Sequence, residues 1–277
     1  MAIDYERMYS PRLTVPDYAA IFARWESESA AARRTARCYL DVPYGSQATE
    51  KMDIFPAEGR SRGLMMFIHG GYWRALDKRD HSFVAPAFAR AGITVAVPNY
   101  ALCPAVRVED IVRQMLQATA WLWRNGTNFG APLHRVHVAG HSAGGHLTAM
   151  MMAALWPAFA PDLPAGMLAG GVSISGVYDV APLMNVSINA DVRLDEAQAR
   201  KVSPALMPPA TGAPLLTAVG AEENEGFQVQ HALIGKRWAK VNRERISVPG
   251  ANHFTILDRL ADPGGDLHQA VLRFVGG

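Results

Sequence analysis

Hydrophobic and polar positions change rhythm several times along the 277 residues. Near the N-terminus, Tyr18, Ile21, Phe22 and Trp25 recur three and four apart, the spacing that lines up one face of a helix. This predicts an extended start and then a helix within residues 1–36, its stripe packed onto the body or over a pocket rim. From Cys38 onward, short apolar runs alternate with longer helical patterns. The runs predict eight strands, at 38–42, 51–55, 64–68, 94–98, 136–139, 171–174, 215–219 and 245–248. Helices fit between them at about 82–91, 108–124, 141–155, 227–241 and 265–274. Strands alternating with helices are what a parallel α/β architecture requires. The stretch 179–213 interrupts this order, with no clear strand and only weak helical pieces such as Leu194 to Arg200.

Composition adds bounds. With 49% hydrophobic residues the chain can bury one sizeable core, and nothing demands a second, so residues 1–277 read as a single domain. A net charge of +2, from 27 basic and 25 acidic residues, gives no electrostatic case for nucleic acid or an anionic membrane. No apolar run approaches the roughly 20 residues of a membrane span. The N-terminal residues Asp4 and Glu6 stand where a secretory signal would be basic, so a cytoplasmic location is expected. Cys38 and Cys103 have neither metal-ligand spacing nor a disulfide framework. No His-Glu-x-x-His, phosphate-binding loop or dinucleotide fingerprint is present, and neither a metal nor a cofactor is expected. The anticipated partner is a small-molecule substrate; a homodimer is compatible with the sequence.

The chemistry concentrates behind two apolar runs. Gly140-His141-Ser142-Ala143-Gly144 follows Val136 to Ala139 and precedes the apolar Leu147 to Met152, reading as strand, sharp turn and helix. In such a turn the serine takes a strained conformation that only glycine or very small neighbours allow, and its hydroxyl is lifted clear of the sheet. The following helix N-terminus favours developing negative charge. Ser142 is therefore the candidate nucleophile. Upstream, His69-Gly70-Gly71-Tyr72-Trp73 follows Leu64 to Ile68, and its consecutive glycines let backbone N–H groups approach a substrate oxygen. Gly70, Gly71 and Ala143 are the candidate oxyanion donors, with His69 holding the loop by side-chain hydrogen bonds.

At these residues the chain resembles an α/β-hydrolase, and more narrowly the arylformamidase (kynurenine formamidase) branch of the esterase/lipase superfamily. That branch carries His-Gly-Gly-x-Trp, matched by His69 to Trp73. Its elbow is matched from Gly140 to His146, and Pro98 to Pro104 is similar to the wider group's Tyr-x-Leu-x-Pro segment. The resemblance implies an α/β-hydrolase fold with a mostly parallel eight-stranded sheet, and a small cap inserted at 179–213.

A serine hydroxyl needs a histidine to take its proton and a carboxylate to fix that histidine's tautomer. In this fold the order is Ser, acid, His. His253, in a loop after the last strand, fits best; His231 and His268 lie on helical patterns. Formamidase-like sequences place the acid three residues beyond a glycine and four before a phenylalanine, and Gly220 and Phe227 both point to Glu223, where aspartate is usual. Glu222 and Asp179 remain rivals. Tyr72 and Trp73 are candidate substrate-binding residues, Trp73 serving either as an aryl-accepting wall or as an anchor for the glycine loop. The resemblance implies hydrolysis of an aryl formamide such as N-formylkynurenine, with a short-chain carboxylesterase or a silent small-molecule binding fold as alternatives.

Overall fold

The central apolar runs become strands because both of their faces are covered. In the computed structural model, which describes residues 3–132 and 136–277, the strands are β1 Tyr39–Pro43, β2 Lys51–Phe55, β3 Gly63–Ile68, β4 Ile93–Pro98, β5 Val136–His141, β6 Leu168–Ile174, β7 Leu215–Gly220 and β8 Asn242–Val248. They form one eight-stranded sheet in the order β1-β2-β4-β3-β5-β6-β7-β8. β2 runs antiparallel to both neighbours, and every pairing from β4 to β8 is parallel. This is the mostly parallel sheet the sequence predicts.

Helices α1 Tyr5–Tyr9 and α2 Tyr18–Thr35 precede the sheet. α3 Ala85–Arg90 and α4 Val108–Asn125 lead into β4 and β5, and α5 Ala143–Ala153 and the short α6 Trp156–Phe159 follow β5. Between β6 and β7 the segment anticipated as a cap holds only single turns and the short helices α7 Asn189–Val192 and α8 Glu196–Lys201. α9 Glu225–Arg237 joins β7 to β8, and α10 Ile256–Ala261 and α11 Asp266–Gly276 end the chain. Three short helices, α1, α6 and α10, differ from expectation. The start is helical rather than extended, because the Asp4 carboxylate accepts from the Arg7 N–H at 3.0 Å and caps α1. Helices α6 and α10, like α1, are too short to impose a readable periodicity. Residues 1 and 2 of the N-terminal segment lie outside the described residues.

Alternation along the strands divides the core. On β3, Leu64, Met66 and Ile68 join the cluster containing Met115 of α4 and Leu147 of α5, while Met65 and Phe67 join Trp25 of α2, Phe88 of α3 and Leu257 of α10. Asp53 on β2 is the polar exception. Its fully buried carboxylate takes Lys78 Nζ at 2.6 Å and Arg33 Nε at 3.1 Å, which fastens α2 onto the sheet. With both faces covered, loops beyond the C-terminal strand ends remain free to build a site.

Candidate active site

Ser142 leaves β5 with φ 57° and ψ −118°, a conformation that costs an L-residue energy unless its surroundings enforce it. Close packing enforces it here. A Cβ on Gly144 would stand 2.0 Å from the Ile68 carbonyl oxygen, so only glycine lets α5 begin this close to β3. The Ser142 N–H donates to the Ile174 carbonyl at 2.9 Å, fixing the turn from the other side.

His253 comes from the loop after β8 and Glu223 from the turn after β7. His253 Nε2 lies 3.0 Å from Ser142 Oγ, and its Nδ1 lies 2.7 Å from Glu223 Oε2. A carboxylate only accepts, so the proton sits on Nδ1 and leaves Nε2 as an acceptor for the serine hydroxyl. The second carboxylate oxygen is also held: Oε1 accepts from the Gly220 N–H at 2.7 Å and from Ser175 Oγ at 2.5 Å. Ser175, at the end of β6 with φ 51°, carries no motif that sequence reading could have found. The rivals lie elsewhere. Glu222 is exposed, and the Asp179 carboxylate accepts from the Ala181 N–H at 3.0 Å in its own turn.

The loop after β3 brings Gly70 and Gly71 to the same place. Gly71 has φ 106°, and a Cβ there would meet the Ala75 carbonyl oxygen at 2.0 Å. Ala143 opens α5, where the first N–H groups have no partner within the helix. His69 is fully buried, with Nδ1 2.8 Å from the Gly70 carbonyl oxygen and Nε2 3.1 Å from Asn99 Oδ1. The Tyr100 ring stacks on it at 4.1 Å, and its hydroxyl donates to the His69 carbonyl at 2.9 Å. The Pro98 to Pro104 segment thus braces the glycine loop.

Trp73 corrects one expectation. Its indole is fully buried in the core, edge-on to His146 at 4.9 Å, and is absent from the cavity wall; its carbonyl accepts from the Cys103 N–H at 2.8 Å. Three consecutive positive φ values, at Gly71, Tyr72 and Trp73, turn the chain inward and carry the indole away from the cavity. Trp73 therefore anchors the loop. Tyr72 does line the cavity, but its hydroxyl is spent on the Tyr9 carbonyl, leaving the ring as its contribution.

The cavity above Ser142 encloses about 200 Å³. An apolar cavity of about 150 Å³ accommodates benzene, so this one suits a single aromatic ring with a few further atoms. Phe22 and Trp25 of α2 wall it with Phe254, the Phe22 and Phe254 rings meeting edge to face at 5.1 Å. Its roof comes from the N-terminal arm. The Glu6 carboxylate accepts from the Ser187 N–H at 2.6 Å and the Ser187 hydroxyl at 2.9 Å, tying α1 to the turn before α7. Burial opposes ionisation of Glu6, but hydrogen bonds from Ser10 and Ser187 outweigh it and hold its pKa below the usual carboxylate value.

Two further histidines line the wall. His141 Nε2–H donates to the His253 carbonyl at 2.7 Å, and burial, then neighbouring His253 and His81, hold its pKa well below the imidazole range. Burial, then His69, pushes His81 down to about 3. Both are neutral at ordinary pH, so neither sets a second positive charge beside an imidazolium formed at His253, which is paired with Glu223. Among the described residues no group of three or more His, Cys, Asp or Glu could hold a metal ion, and no helix is long and apolar enough to cross a membrane.

A family model for the alpha/beta hydrolase fold matches residues 65–228, and the chain belongs to that family, as a hydrolase. Its relatives are more particular. It is 27% identical over 257 residues to kynurenine formamidase of Salmo salar, covering 88% of this chain and 84% of the relative. It is 26% identical over 280 residues to kynurenine formamidase of Danio rerio, covering 97% and 92%. A solved structure from Silicibacter sp. tm1040, named only provisionally as a thioesterase, superposes over the whole of both chains with a TM-score of 0.87 at 29% identity.

Proposed function

We propose that this hydrolase cleaves an aryl formamide such as N-formylkynurenine through a formyl-enzyme, giving formate and the free aryl amine. Ser142 Oγ attacks the formyl carbon while His253 Nε2 takes its proton, and Glu223 steadies the imidazolium. Backbone N–H groups of Gly70, Gly71 and Ala143 receive the oxyanion. As the C–N bond breaks, His253 returns the proton to the departing amine; water, deprotonated by the same imidazole, then releases formate. Segment 179–213 acts as a small cap whose Ser187 turn meets the N-terminal arm. The observation that carries this reading is the continuous contact from Ser142 to His253 to Glu223 on the floor of an aromatic-walled cavity. The formamidase relatives, covered over most of their length, favour a formamide over the rival class of short esters.

The test compares kcat/KM for N-formylkynurenine with that for a series of short phenyl esters, and labels the protein with a serine-directed phosphonate. A preference for the formamide, with the phosphonate mass on the Ser142 peptide and kcat lowered about 10³-fold or more in Ser142→Ala, is the expected result. Ester turnover without formamide turnover would make the protein a carboxylesterase. Labelling elsewhere would remove Ser142 as nucleophile, and absence of any turnover would leave a binding fold.

A further inference from the structure

Three consecutive residues at the tip of β6 hold three parts of the site. Ser173 Oγ donates to the Gly145 carbonyl in the first turn of α5 at 2.8 Å, and the Ile174 carbonyl accepts from the Ser142 N–H at 2.9 Å. Ser175 Oγ then donates to Glu223 Oε1 at 2.5 Å, while its own N–H is fixed to the Ala218 carbonyl of β7 at 2.8 Å. One strand end therefore grips both the turn of the nucleophile and the acid. Ser175 is buried, and its φ of 51° is a conformation that glycine adopts freely and serine only at a cost. Turning the chain here does not call for a serine. The hydroxyl does, because among the described residues the only side chains that hydrogen-bond the Glu223 carboxylate are Ser175 and His253.

A glutamate needs this second grip. Its carboxylate swings on three side-chain torsions, and the 2.7 Å contact with His253 Nδ1 fixes Oε2 alone. The Gly220 N–H, 2.7 Å from Oε1, belongs to the same turn as Glu223 and shifts with it. Ser175 comes from the neighbouring strand, the one that also holds Ser142. We infer that Ser175 is a positioning residue, whose hydroxyl locks the Glu223 carboxylate to the frame of the nucleophile and so keeps His253 Nε2 aimed at Ser142 Oγ. This rests on the reading of Ser142, His253 and Glu223 as the reacting groups and deepens it. A hydroxyl bonded to a buried carboxylate is among the stronger hydrogen bonds, and its loss frees Oε1 to rotate out of the plane that His253 requires. Ser175 is absent from the cavity wall, so substrate affinity does not depend on it.

The experiment measures steady-state hydrolysis of p-nitrophenyl acetate by wild type, Ser175→Gly, Ser175→Ala, Glu223→Ala and the Ser175→Gly/Glu223→Ala double variant. Alongside, ¹H NMR follows the downfield resonance of His253 Nδ1–H, assigned by its absence from His253→Ala. Ser175→Ala keeps the backbone strain and Ser175→Gly relieves it, but both remove the hydroxyl. Each should lower kcat about tenfold to hundredfold with KM within about twofold, the loss expected when a hydrogen bond to a charged group is forfeited in the transition state. The resonance should move upfield or broaden in both. In the Glu223→Ala background, where no carboxylate is left to hold, Ser175→Gly should change kcat less than about twofold. Wild-type kcat in Ser175→Gly, an unmoved resonance, or an equal loss with and without Glu223 would each overturn the assignment. A mild effect of Glu223→Ala itself would remove Glu223 as the acid, and the inference with it, whereas a severe one beside a silent Ser175→Gly sinks the inference alone. The resonance needs no turnover and decides by itself if the ester is not hydrolysed. Glycine tolerates the positive φ, so Ser175→Gly should keep the fold, which urea unfolding checks.

Discussion

At the ends of β3, β5 and β6 the backbone is bent into the left-handed half of conformational space, with φ 106° at Gly71, 57° at Ser142 and 51° at Ser175. The N-terminal arm that roofs the same cavity is ordinary helix and turn. It is tied down by side chains: Glu6 to Ser187, Arg24 bidentate to Asp258 at 3.0 and 2.8 Å, and Asn224 to the Arg7 carbonyl at 2.7 Å. Strain at the strand ends is sustained by neighbouring strands and fixes the reacting atoms to within a hydrogen bond, whereas the arm supplies apolar wall and closure. The two regions should therefore fail differently, one in kcat and the other in KM.

The largest test falls on the strand ends. Glu223 has both oxygens engaged, one by His253 and one by Ser175 and Gly220, so Glu223→Gln should lower kcat by about 10³-fold or more, since an amide can neither hold the right tautomer nor balance an imidazolium. Glu222→Gln, one residue away and exposed, should change kcat less than about twofold. Steady-state kinetics on p-nitrophenyl acetate reads both. Similar, mild effects would mean that the geometry after β7 does not set the chemistry.

A smaller effect is expected at Trp73, which belongs to the strand-end region although it resembles a pocket aromatic in sequence. Loss of the buried indole in Trp73→Leu should destabilise the fold by about 2–4 kcal/mol in urea unfolding. It should also lower kcat about tenfold on aryl formamides and acetates alike, because the loop carrying Gly70 and Gly71 loses its anchor. A KM rise confined to aryl substrates would return Trp73 to the cavity wall.

The strand ends were legible because strain and close approach dictate residue types locally. Gly144 lies against the Ile68 carbonyl and Gly71 against Ala75, and each leaves its mark within five residues of sequence. The strands were legible for a related reason, since a sheet covered on both faces writes unbroken apolar runs. The orientation of Trp73 was not legible, because two conformations of a glycine loop share one sequence and only the surrounding core selects between them. Glu6 and Ser187 are separated by 181 positions and Thr14 and Asn224 by 210, and such pairs leave no period or motif. Ser175 escaped for the same reason: a lone serine is ordinary until its neighbours are known.

The smallest effect falls on the arm and tests the comparison most directly. Phe22 reaches the cavity from α2, stacked on Trp25 at 5.2 Å and edge-on to Phe254, yet touches none of the groups assigned to the reaction. Replacing it by leucine keeps the wall apolar and removes aromatic packing, worth about 1 kcal/mol beyond area, together with the exposed Arg12 guanidinium's contact over the ring at 5.3 Å. For Phe22→Leu, KM for an aryl formamide or phenyl ester should rise about threefold to tenfold, with kcat changing less than twofold and the KM of a small alkyl acetate rising least. That split is the signature of binding lost equally from ground and transition states. A uniform fall in kcat would show that α2, fastened through Arg33 to the buried Asp53, also steadies the reacting atoms, and the division between a strained chemical floor and a passive aromatic wall would no longer hold.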